Sequence, residues 1–311
     1  MEQVIEVVLH AGRGAIDISL YTLLPIMVAM MIFVRFLEAS GILDRFIQLV
    51  TPIARPFGLT GIAALAMVQI SFVSFVAPLP TLALMENRGA SDRHLASALA
   101  AVLAMAPANA LFPLTVLGLK LGEVLLLSAL GGIAASTFTY WILALKLSNE
   151  SRDVFSAERD ASGKFSLLKI INTSGADAIQ IIFNIIPMLL VSLVVVTGLQ
   201  QLGAVHEIET LFAPVFAGFG VEPDFILPLL TKYLAGSTAL VGLAHTMATH
   251  DRLVRVIVGD GGAGFLLHPL DLPGVTILLS AGQRLRKAAF PAIVGSCVGI
   301  TLRTALGIAI G

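Results

Sequence analysis

Charge is what this sequence has least of. Asp, Glu, Lys and Arg make up 13% of the 311 residues, against 57% hydrophobic residues, and mean hydropathy is +0.94. Soluble domains carry about 25% charged residues. The chain therefore has too little polar surface to cover a globule in water, which marks it as an integral membrane protein. Also missing are the alternating strands of roughly 10 residues that build a membrane barrel. The uncharged runs are much longer, and helices are the other structure that satisfies every backbone group in lipid. A net charge of −1 leaves no nucleic-acid footprint. Cys297 is the single cysteine, which excludes an intrachain disulfide and a cysteine-based metal site. The histidines lack metal-ligand spacing with a supporting acid, and no nucleophile–base pair presents itself. Neither a metal, a cofactor nor an enzymatic activity is expected. Met1-Glu2-Gln3 has no basic n-region before a short apolar core, so no cleavable signal peptide is expected.

An ordered internal repeat is present. Leu23-Leu24-Pro25, Gly41, Pro52 and Gly58 are answered by Ile185-Ile186-Pro187, Gly203, Pro214 and Gly220 at a constant offset of 162 residues. Ser91-Asp92-Arg93 is answered by His250-Asp251-Arg252 at an offset of 159, and Pro107 and Asn109 by Pro269 and Asp271 again at 162. Such an ordered series predicts two homologous halves. The expected class is an all-α, polytopic helical membrane protein built from two repeats, 1–146 and 166–311, with broken or re-entrant helices. Residues 147–165 read as a polar linker. Lys146, Arg152, Arg159, Lys164 and Lys169 place that linker on the cytoplasmic side by the positive-inside bias, against a competing cluster at Arg284, Arg286 and Lys287.

Along the chain, the first span is expected from Ile18 to Val34. Gly41 to Phe57 reads as an amphipathic helix in the interface, with Gly203 to Phe219 as its partner. Gly58 to Met85 is uncharged and contains Pro78 and Pro80, so it is either one kinked span or a helix plus a re-entrant piece. His94 to Leu119 is broken by Pro107 and Pro113, and Val124 to Leu145 closes the first half. The second half reads as Ala178 to Leu202, Phe225 to Thr249, a broken region from Gly259 to Gln283, and Ala288 to the C-terminus. Arg303 is expected to snorkel to the interface. The total is about 8–10 spans.

Ionisable groups at membrane depth cost roughly 2.5–3.5 kcal/mol or more each, so those the chain keeps are candidates for function. Lys232 falls roughly 13 Å into a helix starting near Pro223, close to the midplane. Thr231, Thr238 and His245 are seven apart and share one face of such a helix. The functional reading is a polar lining for a solute or ion path; the plain one is a helix interface with Lys232 paired to Asp271. His268-Pro269-Leu270-Asp271-Leu272-Pro273 cannot be regular helix, because two prolines remove donors and push the residues before them out of the α region. Broken helices at matching places in two halves are the best sequence pointer to a transporter's binding site. Asn109 and Asp271 hold equivalent positions and lead the candidates; the plain alternative is an ordinary turn. Gln69, Ser71 and Ser74 are the polar residues on the first-half helix that matches the Lys232 helix. Gly259 to Gly264 is no phosphate loop, since no strand precedes it and no Gly-Lys-Ser/Thr follows. It reads as a flexible break exposing amides at a helix tip.

Leu23-Leu24-Pro25, Gly41-Ile42-Leu43, Pro52 and Gly58-Leu59-Thr60-Gly61 resemble the nucleoside-recognition or Gate domain. So do Phe212-Ala213-Pro214, Gly220-Val221 and Lys232-Tyr233-Leu234-Ala235-Gly236-Ser237-Thr238, which look like the better copy. Such domains occur in concentrative nucleoside transporters, ferrous iron transporters and spore maturation membrane proteins. The resemblance implies a multi-pass protein of the cytoplasmic membrane. The expected function is a secondary transporter of a small polar solute (a nucleoside, base or related organic ion), coupled to H⁺ or Na⁺. Asn109 and Asp271 would bind the solute or ion. Lys232 would be a counter-charge, and His245 and His268 would carry protons. The alternative is a membrane scaffold without transport. The partners of the first reading are the lipid bilayer, the solute and its coupling ion; a homo-oligomer is compatible with it, and nucleic acid is not a partner.

Overall fold

The computed structural model describes residues 2–150, 167–201, 203, 207, 210–211, 226–246 and 251–310, and among them there is no strand. Helix α1 (Glu2–Ile16) runs through a π-helical stretch (Asp17–Leu23) into α2 (Leu24–Ala39). The helix that carries the expected first span therefore begins well before Ile18. Glu2, Glu6 and Arg13 had masked its N-terminal extension by lowering the local hydropathy. Gly41 turns the chain into α3 (Ile42–Ala54), the expected amphipathic helix. The segment Gln48–Phe57 meets Gly61–Phe72 at 89°, so α3 does not continue the direction of the helix that follows it.

Helix α4 (Gly61–Phe72) and α5 (Pro78–Asn87) are separated by a short turn. Thr81 Oγ1 donates to Gln69 Oε1 at 2.7 Å. In one continuous helix these residues would stand roughly 18 Å apart, so the chain doubles back between α4 and α5 rather than running on as one kinked helix. Helix α6 (Asp92–Ala104) and α7 (Ala108–Thr115) follow, with Met105 and Pro107 extended between them. Helix α8 (Leu121–Trp141) closes the half.

Helix α9 (Leu167–Gln201) begins eleven residues before the expected Ala178. Its polar first turns are held by Arg35, which donates to Thr173 Oγ1 at 2.7 Å and pairs with Asp177. The partner amphipathic segment, Gly203 to Phe219, and the body of the linker lie outside the described residues. Helix α10 (Ile226–Ala235) stops at Gly236, and α11 (Ser237–Thr246) begins at once. Next come α12 (Asp251–Val258), α13 (Asp260–Leu266), α14 (Leu272–Leu279), α15 (Gln283–Lys287) and α16 (Ala289–Ile310).

Three helical stretches are long and apolar enough to cross a membrane among the described residues, or four if the bent pair counts as one. They differ in burial. The stretch Asp92–Thr115 is 89% buried, whereas those through α8 and α16 are 39% and 33% buried. The broken α6–α7 rod is thus the axis of the bundle, and α8 and α16 turn outer faces such as Leu126, Phe290 and Ile308 toward lipid. Small residues let α8 and α16 approach closely. A Cβ on Gly299 would stand 2.2 Å from the carbonyl oxygen of Gly131, and one on Gly295 would stand 1.7 Å from Thr139 Oγ1.

A polar clasp ties the two halves at one end of α6. The carboxylate of Glu86 accepts from the backbone N–H groups of Arg284 and Leu285 at 3.1 Å. The Arg284 side chain donates to Asp92 Oδ1 at 2.8 Å and to the carbonyl of Ala90 at 2.7 Å.

Candidate functional site

The site grows out of the prolines. Pro107 cannot donate, and it drives Met105 and Ala106 out of the helix. Pro269 does the same to 267–268, while Pro273 sits in the first turn of α14, where its missing N–H costs nothing. Each break leaves carbonyls at the C-terminal end of the preceding helix, where the dipole also gathers about half a negative charge. Arg303 satisfies both ends at once. It donates through Nη1 to the carbonyl of Ala104, the last residue of α6, at 2.9 Å, through Nε to Gly264 at 2.6 Å, and through Nη2 to Leu267. Arg303 is 1% exposed. The expectation that it snorkels to the interface is therefore wrong: the carbonyls of two broken helices replace water around the guanidinium. One guanidinium spans both carbonyls, so the two breaks are neighbours in the middle of the bundle.

In the second half, Asp271 caps α14: its Oδ1 accepts from the N–H of Gly274 at 2.7 Å. Its Oδ2 pairs with Lys232 Nζ from α10. Both side chains are closed off, at 0% and 3% exposure. The Lys232 ammonium also lies 5.5 Å from the centre of the Tyr233 ring, within cation–π reach. Gly236 makes the bend: its φ is +89°, a conformation that favours glycine, while a Cβ there would reach only ordinary contact distance, 3.5 Å from Pro273 and 3.6 Å from Asp271 Oδ1.

His268 is fully buried beside Tyr233, ring centres 5.8 Å apart. Its Nδ1 accepts from the N–H of Leu270 at 3.1 Å, which leaves Nε2 as the ring's donor. That Nε2 has no partner among the described residues. The carbonyl of His268 accepts from Ser237 Oγ at 3.0 Å.

In the first half, Asn109 lies in the first turn of α7 and its Oδ1 accepts from the N–H of Phe75, in the α4–α5 turn, at 3.3 Å. Ser71 Oγ donates to the carbonyl of Ala106 at 3.2 Å, and the N–H of Ala106 donates to Ser128 Oγ at 2.7 Å. Gln69 is buried, with Oε1 held by Thr81 and Nε2 without a partner among the described residues. Ser74 is buried in the turn, its N–H donating to the carbonyl of Gln69 at 3.2 Å.

Of the residues singled out from sequence, Lys232, Asp271 and His268 come together, and Asn109, Gln69 and Ser74 gather around the other break. Packing joins the two groups: Ala110 and Leu111 of α7 share one apolar cluster with Leu240 and Val241 of α11 and Leu267. The single helix from Phe225 to Thr249 is not formed. Gly236 breaks it, so the face supposed to carry Thr231, Thr238 and His245 is not continuous. Thr231 is partly buried on α10; Thr238 and His245 belong to α11, and their side chains lie outside the described residues. Gly259 to Gly264 is not an open tip either. It starts α13, and a Cβ on Gly264 would meet the backbone of Thr304 at 2.8 Å, so this glycine serves close packing. Arg303, Ser237, Thr81 and Ser128 were absent from the sequence-based set. For Arg303, a lone cation inside an otherwise apolar last span was the available signal.

Residues 20–122 match the model of the Gate family, described as nucleoside recognition. The match falls on the first half rather than on the second, which had looked like the better copy. Among curated proteins, none matches the chain significantly. The fold is similar to a solved structure of the nucleoside transporter CNTnw, a double-substituted variant in an outward-facing state. The TM-score is 0.58 at 14% identity, over 100% of this chain and 85% of that one. The chain is thus a multi-pass helical membrane protein in which residues 20–122 match the Gate model and whose fold is similar to that of the solved transporter.

Proposed function

We propose that this protein is a secondary transporter of a small polar solute, a nucleoside, base or related organic ion, in the cytoplasmic membrane. The observation that carries the reading is the shared guanidinium of Arg303, which brings two helix breaks, one from each half, side by side in the buried centre. Broken helices meeting at the midplane are how transporters expose backbone groups to a solute without exposing them to lipid. Asn109 and Asp271 then bind the solute or its coupling H⁺ or Na⁺, with Lys232 as counter-charge. Gln69 Nε2 is a buried donor without a partner among the described residues, and a nucleobase supplies acceptors in its carbonyl and ring nitrogen atoms. The Gate match and the transporter fold support this solute class. The carbonyls of Ala106 and His268, 162 residues apart, each accept from a serine hydroxyl, Ser71 and Ser237 respectively, which supports reading 1–146 and 166–311 as repeats even though the serines themselves are 166 apart.

The test is uptake of labelled nucleosides and bases into proteoliposomes. Asp271→Asn is expected to abolish uptake while the protein still elutes as a folded species in detergent. Uptake equal to wild type would dismiss Asp271 from the site. One observation favours a second reading, a membrane scaffold: Lys232 and Asp271 satisfy each other without any solute. On that reading no solute in the panel is taken up, and the pair contributes to stability alone.

A further inference from the structure

We propose that the ammonium group of Lys232 stands in the place of a coupling cation at Asp271, so that the broken segment 267–271 works without bound sodium. This narrows the H⁺-or-Na⁺ alternative at the proposed solute site and rests on that reading for its role in transport. A carboxylate next to the carbonyls of an unwound helix is the donor set by which transporters coordinate Na⁺. Here four of those oxygens are engaged. Asp271 Oδ1 accepts from Gly274, Oδ2 faces Lys232 Nζ, the carbonyl of His268 accepts from Ser237, and that of Leu267 accepts from Arg303. The ammonium is held there covalently and is enclosed: the Lys232 side chain is 0% exposed.

Charge leads to the same conclusion. The break carries one carboxylate, Asp271, against two fixed cations, Lys232 and Arg303. The second of these is bound to a carbonyl only four residues before Asp271. A third cation would enter a region whose fixed charge is already positive, where low polarity strengthens the repulsion. Removing the Lys232 charge reverses the situation, because it leaves a buried carboxylate with space beside it and unwound carbonyls nearby.

The experiment measures the Tm of the purified full chain in detergent, in NaCl and in choline chloride at equal ionic strength. Wild type is expected to melt at the same temperature in both salts. Lys232→Met is expected to gain about 3–6 °C in NaCl over choline chloride, the shift that saturating ligand gives a protein of this size. Lys232→Arg, which keeps the charge, is expected to be indifferent to the salt. A wild type stabilised specifically by NaCl overturns the proposal whether or not the variants fold, and so does a folded Lys232→Met that is indifferent to the salt. The readout needs no solute, so failure here is separate from failure of the uptake test.

Discussion

Arg303 of the last helix and Ala104 at the end of α6 are joined by a 2.9 Å hydrogen bond across 199 positions of chain. The same side chain holds Gly264 and Leu267. Removing the guanidinium by Arg303→Met leaves several buried carbonyls without a donor. The expected loss is about 3–5 kcal/mol, read as a large drop in Tm in detergent. Arg303→Lys keeps the charge but not the planar fork, and is expected to recover only part of it.

The Lys232–Asp271 pair can be weighed by a double-mutant cycle. Breaking a buried pair from one side costs about 3–5 kcal/mol, because an uncompensated charge is left in the core. Lys232→Met and Asp271→Asn together are expected to cost clearly less than the sum of the two single changes. Thermal melts of the four proteins check this. Additive losses would mean the pair is not coupled.

Gln69 separates function from stability. Its Nε2 is unpartnered among the described residues, so Gln69→Met relieves one buried donor while costing Thr81 its acceptor. Stability is expected to change by no more than about 1 kcal/mol. If Nε2 binds the solute, uptake should fall tenfold or more. A melt and an uptake assay on the same preparation distinguish the two effects.

Close approach of α8 and α16 gives a steric prediction. Gly299→Ala drives a methyl group to 2.2 Å from the Gly131 carbonyl oxygen, backbone that cannot yield without parting the helices. The expected cost is about 1–3 kcal/mol. Gly122→Ala meets nothing within 4 Å and is expected to leave the melting temperature where it is. Equal effects from the two substitutions would refute the packing argument.

What could be read from the sequence divides along physical lines. Pro107, Pro269 and Pro273 announced the breaks because a missing N–H and a fixed φ act wherever they occur. Glycine is common in membrane helices, so Gly236 gave no comparable warning, and the imagined face through Thr231, Thr238 and His245 crossed it. Lys232 and Asp271 were recognised as costly at depth, and their pairing was one of the two readings weighed. Arg303 was misjudged because nearness to the chain end was taken for nearness to the membrane surface. The carbonyls that bind it come from Ala104 and Leu267, residues apolar in sequence whose polarity appears only once their helices end. Gln69 was visible as a polar residue in an apolar run, but its partner Thr81 required the chain to double back.

The guanidinium shared by α6 and α13 also bears on how such a molecule could open. Separating the two helix ends would strip a permanent cation of its oxygen ligands far from any aqueous phase. The two interrupted rods are therefore yoked and must travel as a single body. Displacement is left to the parts that touch them from outside, the α4–α5 loop at Phe75 and the α10–α11 bend at Gly236. Those contacts are the bond from Phe75 to Asn109 and, at the bend, the Lys232–Asp271 pair and the bond from Ser237 to His268, all of which can be remade without parting the guanidinium from its carbonyls.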